Sequence, residues 1–318
     1  MSYASIIKEI GRGADGSRDM TQEDAKYLYG AMLDGGVPDL EMGAILIALR
    51  MKAESIDEMI GFLAAANERV NALQSPCDGI RPIVIPTYNG ARKSANLTPL
   101  LAILLQRFGV PVVVHGLLEG FGRVTSGHVF RELGVMPAAS HTQAQQALDE
   151  HKLAFVPLPV IARLGVRNSA HSLVKMLDPF KGEGVIIAAA THPPYLDTMR
   201  EVLGSQGAHG LLLRATEGEP YANPKRRPRI EHLHDGVAEV LFEAEHDSLK
   251  MLPHLPEEPD AAATACWIRK VLDGQLPLPQ PIANQLAACL LAAGYAADLN
   301  EAKAIVAVET GGHVAASA

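Results

Sequence analysis

Residues 83–90, Ile-Val-Ile-Pro-Thr-Tyr-Asn-Gly, then a helical run from Leu97 to Phe108, Gly109, and Val110-Pro-Val-Val-Val114 decide the fold of this chain. Ile83-Val84-Ile85 is a short β-branched strand, and Pro86-Thr87-Tyr88-Asn89-Gly90 is turn chemistry. Leu97 to Phe108 is apolar at helical spacing until Gly109 stops it, and Val110 to Val114 is the next strand. Such a βαβ unit presents backbone N–H groups and a helix N-terminus at one end of a parallel sheet, where anionic ligands collect. The loop carries Arg92 and Lys93 where a phosphate pocket uses bare glycines. A negatively charged ligand is expected.

Upstream, the first seventy residues read as helical. Thr21 caps a helix from Gln22 to about Leu33, Asp39 caps one from Leu40 to Met51, and Ser55-Ile-Asp-Glu58 is a capping box. From Ile83 to about Leu148 strands alternate with helices, among them Ser126 to Leu133, which ends at Gly134. Residues 157–181 revert to helix, with Gly165 between two short pieces. Gly184 to Ala190, Leu211-Leu-Leu213 and Val237 to Ala244 read as strands, followed by a helical C-terminal third whose last helix opens at Asn300 and Glu301. The expected fold class is α/β: a small discontinuous all-helical domain (1–76 and 157–181) and a larger α/β domain (77–156 and 182–318) with a central, mainly parallel sheet.

With 48% hydrophobic and 20% charged residues in 318, the chain is globular rather than disordered or fibrous. No basic n-region precedes an apolar segment at Met1-Ser2-Tyr3-Ala4-Ser5, and no apolar run reaches membrane-spanning length. A cytoplasmic protein with no membrane partner is expected. Cys77, Cys266 and Cys289 form no C-x-x-C pair and read as reduced, buried thiols. A net charge of −8 argues against a surface coated with phosphate contacts. Distribution overrides the total: residues 214–229 hold five cations against two anions, and Arg214 is followed by Lys225, Arg226, Arg227 and Arg229 in a proline-rich, extended stretch.

Several segments resemble the anthranilate phosphoribosyltransferase family over nearly the whole chain. Ala48-Leu-Arg-Met-Lys52 with Glu54 is similar to the family's "ALRMKGET", His115-Gly116 to "KHGN", Leu164-Gly-Val-Arg167 to "ELGVRT", and Asn284 to Gly294 to its terminal helix. The resemblance implies a phosphoribosyltransferase-like fold, with homodimerisation through the N-terminal helices, and apolar Ile45, Leu46 and Leu49 could supply that contact. The departures fall on the chemistry. Pro86-Thr87-Tyr88-Asn89-Gly90 stands where the family has GTGGD, so three glycines that let amides approach a diphosphate are gone. Leu117-Leu118-Glu119 replaces Asn-Arg-Ser, and Ile161 aligns with the arginine that holds the acceptor's carboxylate. An Asp-Glu magnesium pair is replaced by Thr216-Glu217-Gly218-Glu219-Pro220. Those two glutamates could ligate a cation, although paired carboxylates in a loop are ordinarily solvated surface. The "TEGEP" run followed by cations resembles the YbiB-like branch of the family, a paralogous group that binds DNA and RNA without sequence preference.

The residues themselves point the same way. Arg92, Lys93, Arg123, Arg214, Lys225, Arg226, Arg227 and Arg229 all follow strands of one probable sheet, and should gather at its carboxyl edge. Arg167, His171 and Lys175 share one helical face if a helix runs unbroken from about Val166, and would line the opposite wall of an interdomain cleft. Contacts of this kind bind phosphates without reading bases, while Tyr88 or Tyr221 could stack on a base. The plainer readings are a solvated basic loop at 225–229, ion pairs for Arg167, His171 and Lys175, and a Tyr88 that packs where glycines have gone. His232-Leu-His234-Asp235 is not taken as a metal site, Gly120-Phe121-Gly122 is loop punctuation, and no metal or cofactor is expected. The sequence therefore leads to a non-catalytic, sequence-nonspecific binder of single- or double-stranded nucleic acid. The alternatives are a pentosyltransferase with an altered substrate and a binder of a small phosphorylated metabolite.

Overall fold

A computed structural model describes residues 3–13, 16–157, 170–249, 252, 254–310 and 314–315. The chain divides into two compact units, Met1–Asn71 with Pro159–Pro179, and Ala72–Leu158 with Phe180–Ala318.

The first unit is helical: α1 (Tyr3–Ile10), α2 (Gln22–Leu33), α3 (Asp39–Lys52), α4 (Ile56–Glu68) and a single turn, α8 (Ala170–Leu173). Thr21 caps α2 through its side chain, and Ser55 and Glu58 form the complete capping box of α4. Asp39 is the first helical residue rather than the cap; Pro38 precedes it without a side-chain cap bond, and the Asp39 carboxylate instead faces the positive end of the α3 dipole. Tyr29 and Phe62 stack at 4.9 Å, and the buried Glu58 carboxylate meets Lys52 at 2.8 Å.

Two expectations fail in this unit. Ile45, Leu46 and Leu49 are buried in it, while Leu40, Ile47 and Met51 are 85%, 55% and 79% exposed. Helix α3 is apolar on more than one face, so periodicity could not tell the inward face from the outward one. Nor does one helical face carry His171 and Lys175, because α8 gives way to a 3-10 turn at Val174–Met176, whose tighter pitch breaks the four-residue repeat. His171 is half-buried and Lys175 is buried, so that lysine presents no charge to solvent. Arg167 lies outside the described residues, as does the expected helical piece before Ala170.

The second unit is built on a seven-stranded sheet of order β3-β2-β1-β4-β5-β6-β7. Its strands are β1 (Ile83–Thr87), β2 (Val112–Gly116), β3 (Leu153–Pro157), β4 (Val185–Ala190), β5 (His209–Arg214), β6 (Ile230–His234) and β7 (Val237–Phe242). β1 to β5 are parallel, and β6 and β7 are antiparallel additions at one edge. Helices α5 (Thr98–Arg107), α6 (Ser126–Glu132), α7 (His141–His151) and α9 (Pro193–Ser205) connect the parallel strands, and α10 (Ala261–Leu272), α11 (Gln280–Ala292) and α12 (Leu299–Glu309) follow them. The apolar side of the sheet, with Ile83, Ile85, Val112 and Val114, packs with Leu101, Leu105 and Leu286 into one core.

β1 runs on through Pro86 and Thr87, residues expected to turn. A central proline is tolerated because β4 pairs only with Ile83 and Val84, so no ladder partner awaits the missing N–H. β6 was not anticipated, although Asp235 (φ 49) and Gly236 (φ 75) form the tight hairpin that an Asp-Gly pair favours. At the carboxyl edge of the parallel strands the ends of β1 and β2 lie close: a Cβ on Gly116 would stand 1.8 Å from the Thr87 carbonyl oxygen. That edge carries the site.

Candidate functional site

After β5 the chain makes a tight turn at Thr216-Glu217-Gly218-Glu219. Thr216 N donates to Glu219 O (3.1 Å) and Glu219 N to Thr216 O (2.9 Å). Glu217 (φ 54) and Gly218 (φ 93) are both left-handed, as a two-residue turn of this hand requires. Only glycine fits at 218, where a Cβ would fall 1.3 Å from Asn89 Nδ2. Glu217 has no such freedom, and a side chain in that conformation costs about 1 kcal/mol or more. Its carboxylate supplies the offset: Oε2 accepts from the backbone N–H of Arg92 (2.9 Å) and Lys93 (3.0 Å), and Oε1 accepts from Ser94 Oγ (2.6 Å).

Glu219, at the other end of the turn, is completely buried. Its Oε1 accepts from the backbone N–H of Asn89 and of Gly90, each at 2.8 Å, and its Oε2 accepts from Thr87 Oγ1, Ser126 Oγ (3.2 Å) and Thr98 Oγ1 (3.3 Å). Ala91 N donates to Val124 O. Every amide from Asn89 to Lys93 is therefore satisfied within the protein. A buried carboxylate with no cationic neighbour is stable only when donors surround it, and here five do. These glutamates are thus not solvated loop surface, as expected from sequence, and no cluster of metal-ligating side chains occurs among the described residues. The turn is anchored further by Gln285, which donates to Pro220 O (2.9 Å) and accepts from Ala222 N (2.6 Å).

Both tyrosines considered for stacking are internal, and for Tyr88 the packing reading holds. Tyr221 is fully buried, and its hydroxyl donates to Ala95 O (2.8 Å); burial, with Glu219 and Glu217 nearby, keeps that phenol protonated far above its usual range. Tyr88 is buried with its hydroxyl 2.8 Å from His115 Nδ1, filling space the absent glycines leave. Neither offers a face to a base. Burial pushes His115 down to about 3, so it is neutral at physiological pH and supplies no charge to an anion.

The cations separate into groups. Lys93, Arg214, Arg226, Arg227 and Arg229 line one open depression of about 630 Å³ together with Arg200 from α9. Arg227 pairs with Glu245 (3.4 Å) and lies over the Phe242 ring, Arg229 pairs with Glu231 (3.0 Å), and Arg200 bonds Glu231 and Asp197. Among the described residues no carboxylate lies within ion-pair distance of Lys93, Arg214 or Arg226. Arg92 is exposed but does not line the depression, and Lys225 lines a separate groove with Glu245 and Asp247. Arg123 is half-buried and donates to Asn89 O (3.2 Å), bracing the loop. Sequence reasoning missed Arg200 because it sits on a helix rather than on a strand-end loop. It also passed over Phe121, fully exposed in the loop after β2 with φ 46.

Residues 4–70 match the model of the glycosyl transferase family helical bundle domain. Anthranilate phosphoribosyltransferase of Methylobacterium nodulans is 28% identical over 98% of this chain and 95% of its own. YbiB of Escherichia coli (strain K12), an uncharacterized protein, is 43% identical over 96% of this chain and 99% of its own. The chain belongs to the anthranilate phosphoribosyltransferase-like family. Its fold matches that of anthranilate phosphoribosyltransferase from Thermus thermophilus, with a TM-score of 0.74, 23% identity, and 96% and 94% of the two chains covered. Like other anthranilate phosphoribosyltransferase-like proteins it pairs a small helical domain with a larger, mostly parallel α/β domain. The loop at 86–94 and the turn at 216–219 are locked together by the two glutamates. No helix among the described residues is long and apolar enough to cross a membrane.

Proposed function

We propose that this family member is a non-catalytic binder of nucleic acid that uses the depression lined by Lys93, Arg200, Arg214, Arg226, Arg227 and Arg229. One observation carries the reading: the loop donors suited to a diphosphate are taken by Glu217 and Glu219, while the cations beside them line an open depression. Guanidinium and ammonium groups so arranged hold phosphates without reading base edges. Phe121, fully exposed, presents a ring face to an unpaired base, as the buried Tyr88 and Tyr221 do not. A second copy of the chain is the natural occupant of the exposed apolar face formed by Leu40, Ile47 and Met51, which makes a homodimer part of the proposal.

The test is fluorescence anisotropy of a labelled oligonucleotide over a salt series, wild type against Lys93→Glu/Arg214→Glu/Arg226→Glu. Contact with several phosphates gives a log–log slope near −0.7 per phosphate on a single strand, roughly, and the triple variant flattens it. Unaltered affinity in a folded triple variant would return these cations to ordinary surface.

A second reading, a pentosyltransferase with an altered substrate, is favoured by whole-length similarity to proteins named anthranilate phosphoribosyltransferase. Those relationships speak for the transferase scaffold and not for nucleic acid. Release of pyrophosphate from phosphoribosyl pyrophosphate and magnesium, above a blank lacking protein, would favour it.

A further inference from the structure

We infer that the 87–94 loop is an oxyanion receptor whose resident ligand is the carboxylate pair of the chain's own 216–219 turn, so that Glu217 and Glu219 are the residues that exclude free diphosphates. The receptor is built rather than incidental. Two pairs of backbone amides, Asn89 with Gly90 and Arg92 with Lys93, converge on separate carboxylates, and the hydroxyls of Thr87, Ser94, Thr98 and Ser126 complete the two groups of donors. A concavity of successive N–H groups is a general anion site, and this one already holds two carboxylates one residue apart in a single tight turn. A diphosphate likewise presents two linked anionic groups, so inorganic pyrophosphate is the class of external ligand matched to the same donors.

The turn competes at high effective concentration because it is covalently attached and its shape is fixed. Gly218 allows the tight approach to Asn89, and Gln285 holds Pro220 and Ala222. Glu217 is the weaker half, since it is half-buried and strained at φ 54, whereas Glu219 is enclosed. Glycine at 217 keeps the left-handed turn and removes only the carboxylate, freeing the amides of Arg92 and Lys93 and the Ser94 hydroxyl beside an exposed lysine. The inference does not depend on the nucleic-acid reading.

Inorganic pyrophosphate titrated calorimetrically into wild type, Glu217→Gly and Glu217→Gly/Glu219→Ala, with thermal melts in the same additive, tests it. Wild type is expected to take up pyrophosphate only weakly, through its surface cations, and E217G to bind at least about tenfold more tightly, as a charge-assisted site freed of its internal competitor does. The double variant binds more tightly still and gains the larger rise in Tm on adding the anion. Should the double variant fail to fold, E217G alone decides the matter, because glycine relieves strain there. Wild type binding pyrophosphate as well as E217G, or a folded E217G binding no better than wild type, overturns the inference. Oligonucleotide affinity is read in a separate titration, so failure of either idea leaves its own mark.

Discussion

The 87–94 loop and the 225–229 run both carry groups suited to an anion, backbone amides in one and cationic side chains in the other, and the two differ in what those groups meet. In the loop the donors are backbone amides, fixed in place, and their anion is internal: Glu219 is fully buried and Glu217 half so. In the run the donors are long side chains, and Arg226 and Arg229 stay exposed, partly tethered by the Glu245 backbone and by Glu231. Fixed amides suit one small anion in one geometry, whereas mobile guanidinium groups tolerate a repeating backbone of phosphates.

Breaking the internal half produces the largest effect. Glu219→Ala leaves the amides of Asn89 and Gly90 and the Thr98 hydroxyl without their acceptor and the Thr87 and Ser126 hydroxyls only with each other and Asn96, a loss of about 3 kcal/mol. The melting temperature should fall by several degrees, and an unchanged melt would show that the loop stands without its carboxylate. Weakening the outer half comes next. Reversing Lys93, Arg214 and Arg226 together should lower oligonucleotide affinity by roughly 50-fold at low salt and reduce the salt slope by about 2, with no change in melting temperature. Equal loss of stability and binding would mean that the two halves are not separable.

The pH dependence sharpens the division, because His115 belongs to the interior half. Its folded value of about 3 lies below the unfolded 6.5, so the unfolded chain gains a proton as pH falls through 6.5 and the native state does not. Stability is therefore complete above that pH and declines below it, by about 2 kcal/mol at pH 5, continuing down towards pH 3. His232, pushed down to about 4 mainly by burial, adds to the same trend. His115→Gln should flatten the decline between pH 7.5 and 5 without abolishing it; an unaltered slope would show that His115 titrates normally. The smallest effect belongs to Phe121→Ala, expected to weaken single-stranded binding by about 1 kcal/mol and leave a blunt duplex unaffected. Equal losses on both would deny it a stacking role.

Much of this was legible beforehand. Alternating strand and helix signals around Ile83, Leu97 and Val112, and local devices such as the Ser55–Glu58 box, depend on neighbours in sequence and were read correctly. The contacts that define the site join residues more than 90 positions apart, such as Glu219 with Asn89 and Glu217 with Lys93, and no local pattern encodes them. Two glutamates flanking a glycine read as solvent-exposed because that is their usual fate. The hint that was available is that Glu217-Gly218 occupies the two central positions of a tight turn directly after a buried strand. Stacking by Tyr88 or Tyr221 is not borne out, and packing, the plainer reading of Tyr88, is; an aromatic with a polar tip is equally suited to a surface and to an interior that supplies one hydrogen bond.

Hydrogen exchange of the 86–96 segment in the ligand-free wild-type protein tests the central claim most directly. If Glu217 and Glu219 already hold the amides of Asn89, Gly90, Arg92 and Lys93, these positions exchange slowly without any additive, and phosphoribosyl pyrophosphate with magnesium leaves their rates unchanged. Fast exchange in the free protein, slowed when the sugar diphosphate is added, would contradict it.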